Sequence, residues 1–136
     1  MKSPSQAVVD VLDNQLFEPP GVRLEAGSNL YRAYPRDPDG TMPSTAAFVL
    51  LRGGEPVTYR LSDDSQLVSL VTVYLRGEPQ RFEAGEEFSR AVWRFLHKLE
   101  PPADYQDCRV MDSEPEFAGA SGYPVWFINL RMIREE

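Results

Sequence analysis

The chain has 136 residues and a formal charge of −7 at neutral pH, with 42% hydrophobic and 11% aromatic residues, one cysteine and one histidine. That length supports one hydrophobic core, so residues 1–136 read as a single domain, and the apolar content exceeds that of a disordered chain. The acidity argues against a phosphate-gripping surface, which needs concentrated Lys and Arg, and a solitary Cys108 excludes an intrachain disulfide or a thiol cluster for zinc or iron–sulfur.

The first residues, Met1 to Gln6, lack an apolar stretch of signal-peptide length, and no uncharged run is long enough to span a bilayer. The expectation is a soluble protein made in the cytoplasm, with no membrane partner. Ser3-Pro4 reads as a helix start, a capping hydroxyl before a proline whose missing N–H costs nothing at the first helical position. Val8, Val9, Leu12, Leu16 and Phe17 then recur at helical spacing, and Pro19-Pro20-Gly21 stops the ladder. Residues 22–24 and 30–34 read as short strands. Residues 35–43 hold three prolines and a glycine and read as a loop, because each proline deletes a donor and biases its predecessor toward extended backbone.

Segments 46–52 and 55–61 are apolar and β-branched and flank Gly53-Gly54, a pair that tolerates the positive φ of a tight turn, so a β-hairpin is predicted there. Ser62-Asp63-Asp64-Ser65 is the next turn. The strand over 66–75 follows, with Leu67, Val71, Val73 and Leu75 on one face and Val68, Leu70 and Tyr74 on the other, which marks it as the central strand. A helix over about 79–99 is the clearest element: Ala84, Phe88, Ala91, Val92, Phe95, Leu96 and Leu99 step by three and four. Pro101-Pro102 ends it. Residues 108–111 and 116–118 read as short strands and 123–133 as a long closing strand whose apolar face is Trp126, Ile128, Leu130 and Met132. The long helix needs a flat apolar partner and only a sheet is large enough. The class is α+β: a mainly antiparallel sheet with one long and one short helix on one face, a hairpin arm and an extended loop.

Catalytic chemistry finds little purchase. His97 and Cys108 form a conceivable nucleophilic pair with Asp107 as orienter. His97, however, falls in the last turn of a helix, where a positive charge is favoured, and Cys108 falls in an apolar-alternating strand, where cysteine acts as a small hydrophobe. Asp63-Asp64 lacks the ligand spacing of a calcium loop, and Glu83, Glu86 and Glu87 sit where a helix N-terminus favours carboxylates. No catalytic, metal or cofactor residue is assigned, and the chain is read as a non-enzyme; a small α+β enzyme or ligand-binding domain using His97 and Cys108 is the competing class.

Four features in order, the Gly53-Gly54-Glu55-Pro56 segment, the Leu-Val-Thr-Val-Tyr-Leu-Arg-Gly strand exit at 70–77, the helix closing on Leu96-His97-Lys98-Leu99 and the final Trp-Phe-Ile-Asn-Leu-Arg-Met-Ile strand, resemble the tail-terminator and minor capsid proteins of long-tailed bacteriophages. The resemblance runs from about residue 42 to the end. It implies a virion protein that forms a ring, commonly a hexamer, on the last tier of the tail tube, with the tail-tube protein and the head-side connector or stopper as partners. A neighbouring connector or head-completion role is the alternative. The loop over 35–43 and the Glu55-Pro56 arm depart from the family pattern. A ring needs two complementary surfaces per subunit, and Tyr31, Tyr34, Arg36, Gly53, Gly54 and Glu55 are the expected contact residues, since aromatics and arginine favour interface centres. Asp37, Asp39, Asp63 and Asp64 are candidates for an acidic lumen past which DNA slides without specific binding.

Overall fold

Helix α1 (Pro4–Leu12) begins as its sequence demands: the Ser3 hydroxyl accepts the Gln6 N–H at 3.3 Å and Pro4 occupies the first turn. The computed structural model describes residues 3–32, 43–59 and 65–135, and the side chains of all of these except 54–59, 65–66, 120–121 and 135. α1 buries Ala7, Val8, Val9 and Leu12 and stops there, one turn short of the predicted Leu16 and Phe17. The reason is a set of longer-range hydrogen bonds. Asn14 turns into the left-handed region at φ 63° and donates its N–H to Leu24 O at 2.7 Å, while the Asp13 carboxylate accepts the Ala26 N–H at 2.9 Å. Leu16 and Phe17 instead form β1 (Leu16–Phe17), paired antiparallel with β2 (Val22–Arg23). Phe17 meets Phe88 and Phe95 edge-on at 6.1 and 5.6 Å, and Leu16 is left 47% exposed.

The main sheet contains β3 (Leu30–Tyr31), β4 (Ala46–Tyr59), β5 (Ser65–Arg76), β6 (Asp107–Val110), β7 (Glu116–Ser121) and β8 (Tyr123–Glu135), and helix α2 (Phe82–His97) connects β5 to β6. The strand order is β3-β4-β5-β8-β6, with β7 also paired to β8. Among the described strands of this sheet only β3 and β4 run parallel. β5 is central as predicted, and the class is α+β with one long and one short helix.

The Gly53-Gly54 hairpin is corrected. β4 runs straight through both glycines, pairing Gly54 with Ser69 and Glu55 with Val68, and the register slips between Leu51 and Gly54. Arg52 and Gly53 together oppose Leu70, a bulge, and Gly53 takes φ 92°. A bulge and a tight turn make the same demand on glycine, so the pair alone did not distinguish them. β4 and β5 pair antiparallel as far as Tyr59 and Ser65. Nor is the resulting hairpin of β4 and β5 a free arm, because β5 pairs with β8 as far as Gln66 and Glu135.

One face of the sheet carries the core. Rows such as Val49–Val73–Ile128 and Leu51–Val71–Leu130 cross three strands, and except for Leu51 these residues are inaccessible to solvent. Both helices lie on this face: Val8 and Leu12 of α1 and Phe88, Val92 and Leu96 of α2 belong to the same cluster. The opposite face carries an aromatic row in register, Tyr31, Phe48, Tyr74 and Phe127. α2 meets the sheet most closely at Gly85. A Cβ there would lie 2.6 Å from Cζ3 of Trp126, and one on Gly77 would lie 3.1 Å from the Gly85 Cα.

Candidate interaction surfaces

β8 has β5 on one side along its length, while on the other side β6 pairs with residues 130–133 and β7 with residues 123–127. The connection between β6 and β7 must therefore pass the gap at Asn129. Asp112 fills it. Its carboxylate accepts the Asn129 N–H at 2.6 Å, Met111 N–H donates to Asn129 O at 2.9 Å, and Asn129 Oδ1 accepts Thr72 Oγ1 at 2.8 Å. The Asp112 carbonyl in turn accepts the indole N–H of Trp93 on α2 at 3.0 Å, which ties the crossover to the helix. A side-chain carboxylate thus stands where a neighbouring strand's carbonyl would be, and the backbone donor of β8 is satisfied.

The crossover leaves a groove between itself and α2, lined by Phe82, Glu86, Arg90, Met111, Glu114 and Phe117 with Trp126 at its base. The three rings Phe82, Phe117 and Trp126 touch one another at 5.1 to 5.4 Å between centroids. Trp126 is buried, yet Phe82 and Phe117 are each 46% exposed and Met111 55%. Large apolar side chains gathered this way form a patch of the kind that marks a binding surface. The electrostatics are one-sided: the lining carries the carboxylates of Glu86, Asp112 and Glu114 against the single guanidinium of Arg90, which sits 3.7 Å from Glu86 and 3.4 Å from Glu114. β7 borders the groove, and among the described residues it pairs with β8 alone.

The other margin of the sheet is β4. β3 pairs with it only at Ala47 and Phe48, so among the described residues the edge beyond Phe48 carries no ladder. Here Leu51 points to the helix face, in line with Val71, but lies beyond the helices' cover and is 51% exposed. Arg52 beside it is exposed as well.

Of the contact residues expected from sequence, Tyr31 lies in β3, stacked on Phe48 at 6.1 Å, and its hydroxyl donates within its own turn to Ser28 O at 2.7 Å. That geometry suits a residue that caps its own domain. Gly53 is the exposed bulge residue, and Gly54 and Glu55 are backbone partners of β5. Tyr34, Arg36, Asp37, Asp39, Asp63 and Asp64 lie outside the described residues. The groove and the Leu51-Arg52 edge were missed. Phe82 and Phe117 stand far apart in sequence, and their one local signal, an aromatic bordering charged turn residues, is common.

Cys108 lies on the core side of β6, 8% exposed. Burial, and secondarily the negative charge of Asp107, push its thiol up to about 11. Asp107 therefore opposes thiolate formation, and its carboxylate sits 3.3 Å from Arg109. His97 ends α2, exposed and stacked on Trp93 at 4.9 Å. Among the described residues no group of three or more His, Cys, Asp or Glu could hold a metal ion, and no helix is long and apolar enough to cross a membrane.

A pH prediction follows from the thiol. Its pKa is raised in the fold from an ordinary value of 9.0, so its contribution is intact below pH 9 and is lost as pH climbs toward 11, where the unfolded chain alone ionises. Denaturant melts should show stability falling by on the order of 1 kcal/mol between pH 8 and pH 10 on this account. Burial likewise raises the Tyr105 phenol. The same titration of Cys108→Ala should be visibly flatter.

No protein-family model matches the chain, and no curated protein is significantly similar to it in sequence.

Proposed function

We propose that the chain is a structural virion protein of the tail-terminator kind, a subunit of a closed ring that caps a tail tube and meets the head-side connector. The observation that carries this reading is the pair of unlike surfaces at opposite margins of one sheet. On one side stands the β4 edge with Leu51 and Arg52, on the other the acidic aromatic groove beside β7. Two unlike surfaces on opposite sides of a subunit suit head-to-tail contact, which closes into a ring when the rotation allows. Strand edges are apt for it, because their backbone groups find partners across the boundary. The net charge of −7 is compatible with a channel through which DNA passes without being held.

Size-exclusion chromatography with light scattering, on the chain alone and mixed with a tail-tube protein, is the direct test, together with electron microscopy of particles carrying a tagged copy. A closed multimer and label at the tail–head junction are expected. A monomer under both conditions, absent from particles, would sink the reading.

A further inference from the structure

We propose that in the assembled ring the β4 edge of one copy adds to the edge of β7 that faces away from β8 in the next, Leu51 entering the groove against Phe117 and Phe82 while Arg52 faces Glu116. This rests on the ring reading above and names the contact that would close it.

The pleat is the first argument. Side chains alternate across a strand, so two strands joined in one sheet must place their apolar residues on the same face. Register puts Leu51 on the helix face through its pairing with Val71, and Phe117 on that same face through its pairing with Trp126. Glu116, opposite Phe127, is on the other face, as is Arg52, which opposes Leu70. Continuing the sheet from β7 of one copy into β4 of the next therefore sets leucine beside phenylalanine and arginine beside glutamate in a single operation.

Charge and exposure agree with it. Glu116 of β7 and Arg52 of β4 are oppositely charged and both exposed on one face, and Phe117 and Leu51 are both exposed on the other. The available length is also bounded: β3 occupies β4 as far as Phe48, and the bulge at Gly53 bends the strand beyond Arg52. A two-fold pairing of β7 with β7 would instead bring Glu114 and Glu116 toward their own copies, and like charges placed together repel. The arrangement selects for a head-to-tail neighbour and against a closed dimer.

The test uses full-length Leu51→Cys and Phe117→Cys proteins, the native Cys108 being buried. Directly opposed positions on neighbouring strands have Cβ atoms about 4.5–5.5 Å apart, beyond most disulfides but within reach of a short bifunctional thiol reagent. Cross-linked dimers are expected only when the two variants are mixed. Cross-linking within either variant alone would overturn the proposal in favour of a two-fold contact. A multimer that forms in the mixture without cross-linking would overturn this contact and leave the ring reading standing, whereas a monomer throughout would remove both. As an independent arm, Arg52→Glu should weaken assembly by roughly tenfold or more, and adding Glu116→Arg should restore it. Equal assembly by Arg52→Glu and the parent would also overturn the contact. Both positions are exposed, so loss of folding does not mimic the result, and unchanged thermal melts verify that.

Discussion

Gly85→Ala should destabilise the protein by about 2–3 kcal/mol, although in an exposed helix interior the same change is stabilising by about 1 kcal/mol. The cause is steric. The new methyl would sit 2.6 Å from Cζ3 and 2.8 Å from Cη2 of Trp126, distances that real Cβ atoms do not sustain. Trp126 has little room to yield, since it is 3% exposed and is hemmed by Phe82 at 5.1 Å and Phe117 at 5.4 Å. For a domain of this size the expected loss lowers Tm by about 10 °C. Trp126→Phe removes the two offending carbons, so the double variant should recover part of what Gly85→Ala loses, a coupling that a double-mutant cycle measures. Strict additivity would show that the close approach of α2 to β8 is not the cause. The effect extends to assembly, because Trp126 supports Phe82 and Phe117: a displaced indole disturbs the groove, and Gly85→Ala should assemble poorly even where it remains folded.

The second large effect belongs to Asp112. Asp112→Ala should cost about 2 kcal/mol, the penalty for leaving the Asn129 N–H without its acceptor in the gap between the β6 and β7 ladders. Asp112→Asn keeps a carbonyl oxygen in place and gives up only the charge assistance, so about 1 kcal/mol or less is expected. Hydrogen exchange reads the mechanism directly. The Asn129 amide should exchange much faster in Asp112→Ala than in the parent, while the Ile128 and Leu130 amides are less affected. Equal losses in the Ala and Asn variants would mean that the negative charge of Asp112 matters and that a neutral acceptor in its place does not suffice. Because the crossover also lines the groove through Met111 and Glu114, Asp112→Ala should loosen the site as well as the fold.

These two residues show where local pattern stops being informative. The apolar alternation of Trp126, Ile128, Leu130 and Met132 announced β8 and its buried face, and all four are 3% exposed or less. The helical step of Phe88, Val92 and Leu96 announced α2 with equal clarity. Gly85 and Ser89, however, are the residues that let α2 approach the sheet: Ser89 is fully buried, with its hydroxyl bonded to Gly85 O at 2.9 Å. Neither is apolar, so a hydropathy reading passes over both. Asp112 carries no local signal of its role, because that role as an acceptor exists only once β8 lies beside it.

The α+β class, the capped start of α1, the central position of β5 and the span of β8 followed from side-chain periodicity and proline placement, which act over a few residues and are fully present in the chain itself. The end of α1 at Leu12, the bulge at Gly53 in place of a turn, and the meeting of Phe82 with Phe117 were decided by tertiary contact. Each depends on hydrogen bonds or ring contacts between segments distant in the chain, and a glycine or an aromatic carries the same local preference whichever distant partner it finds.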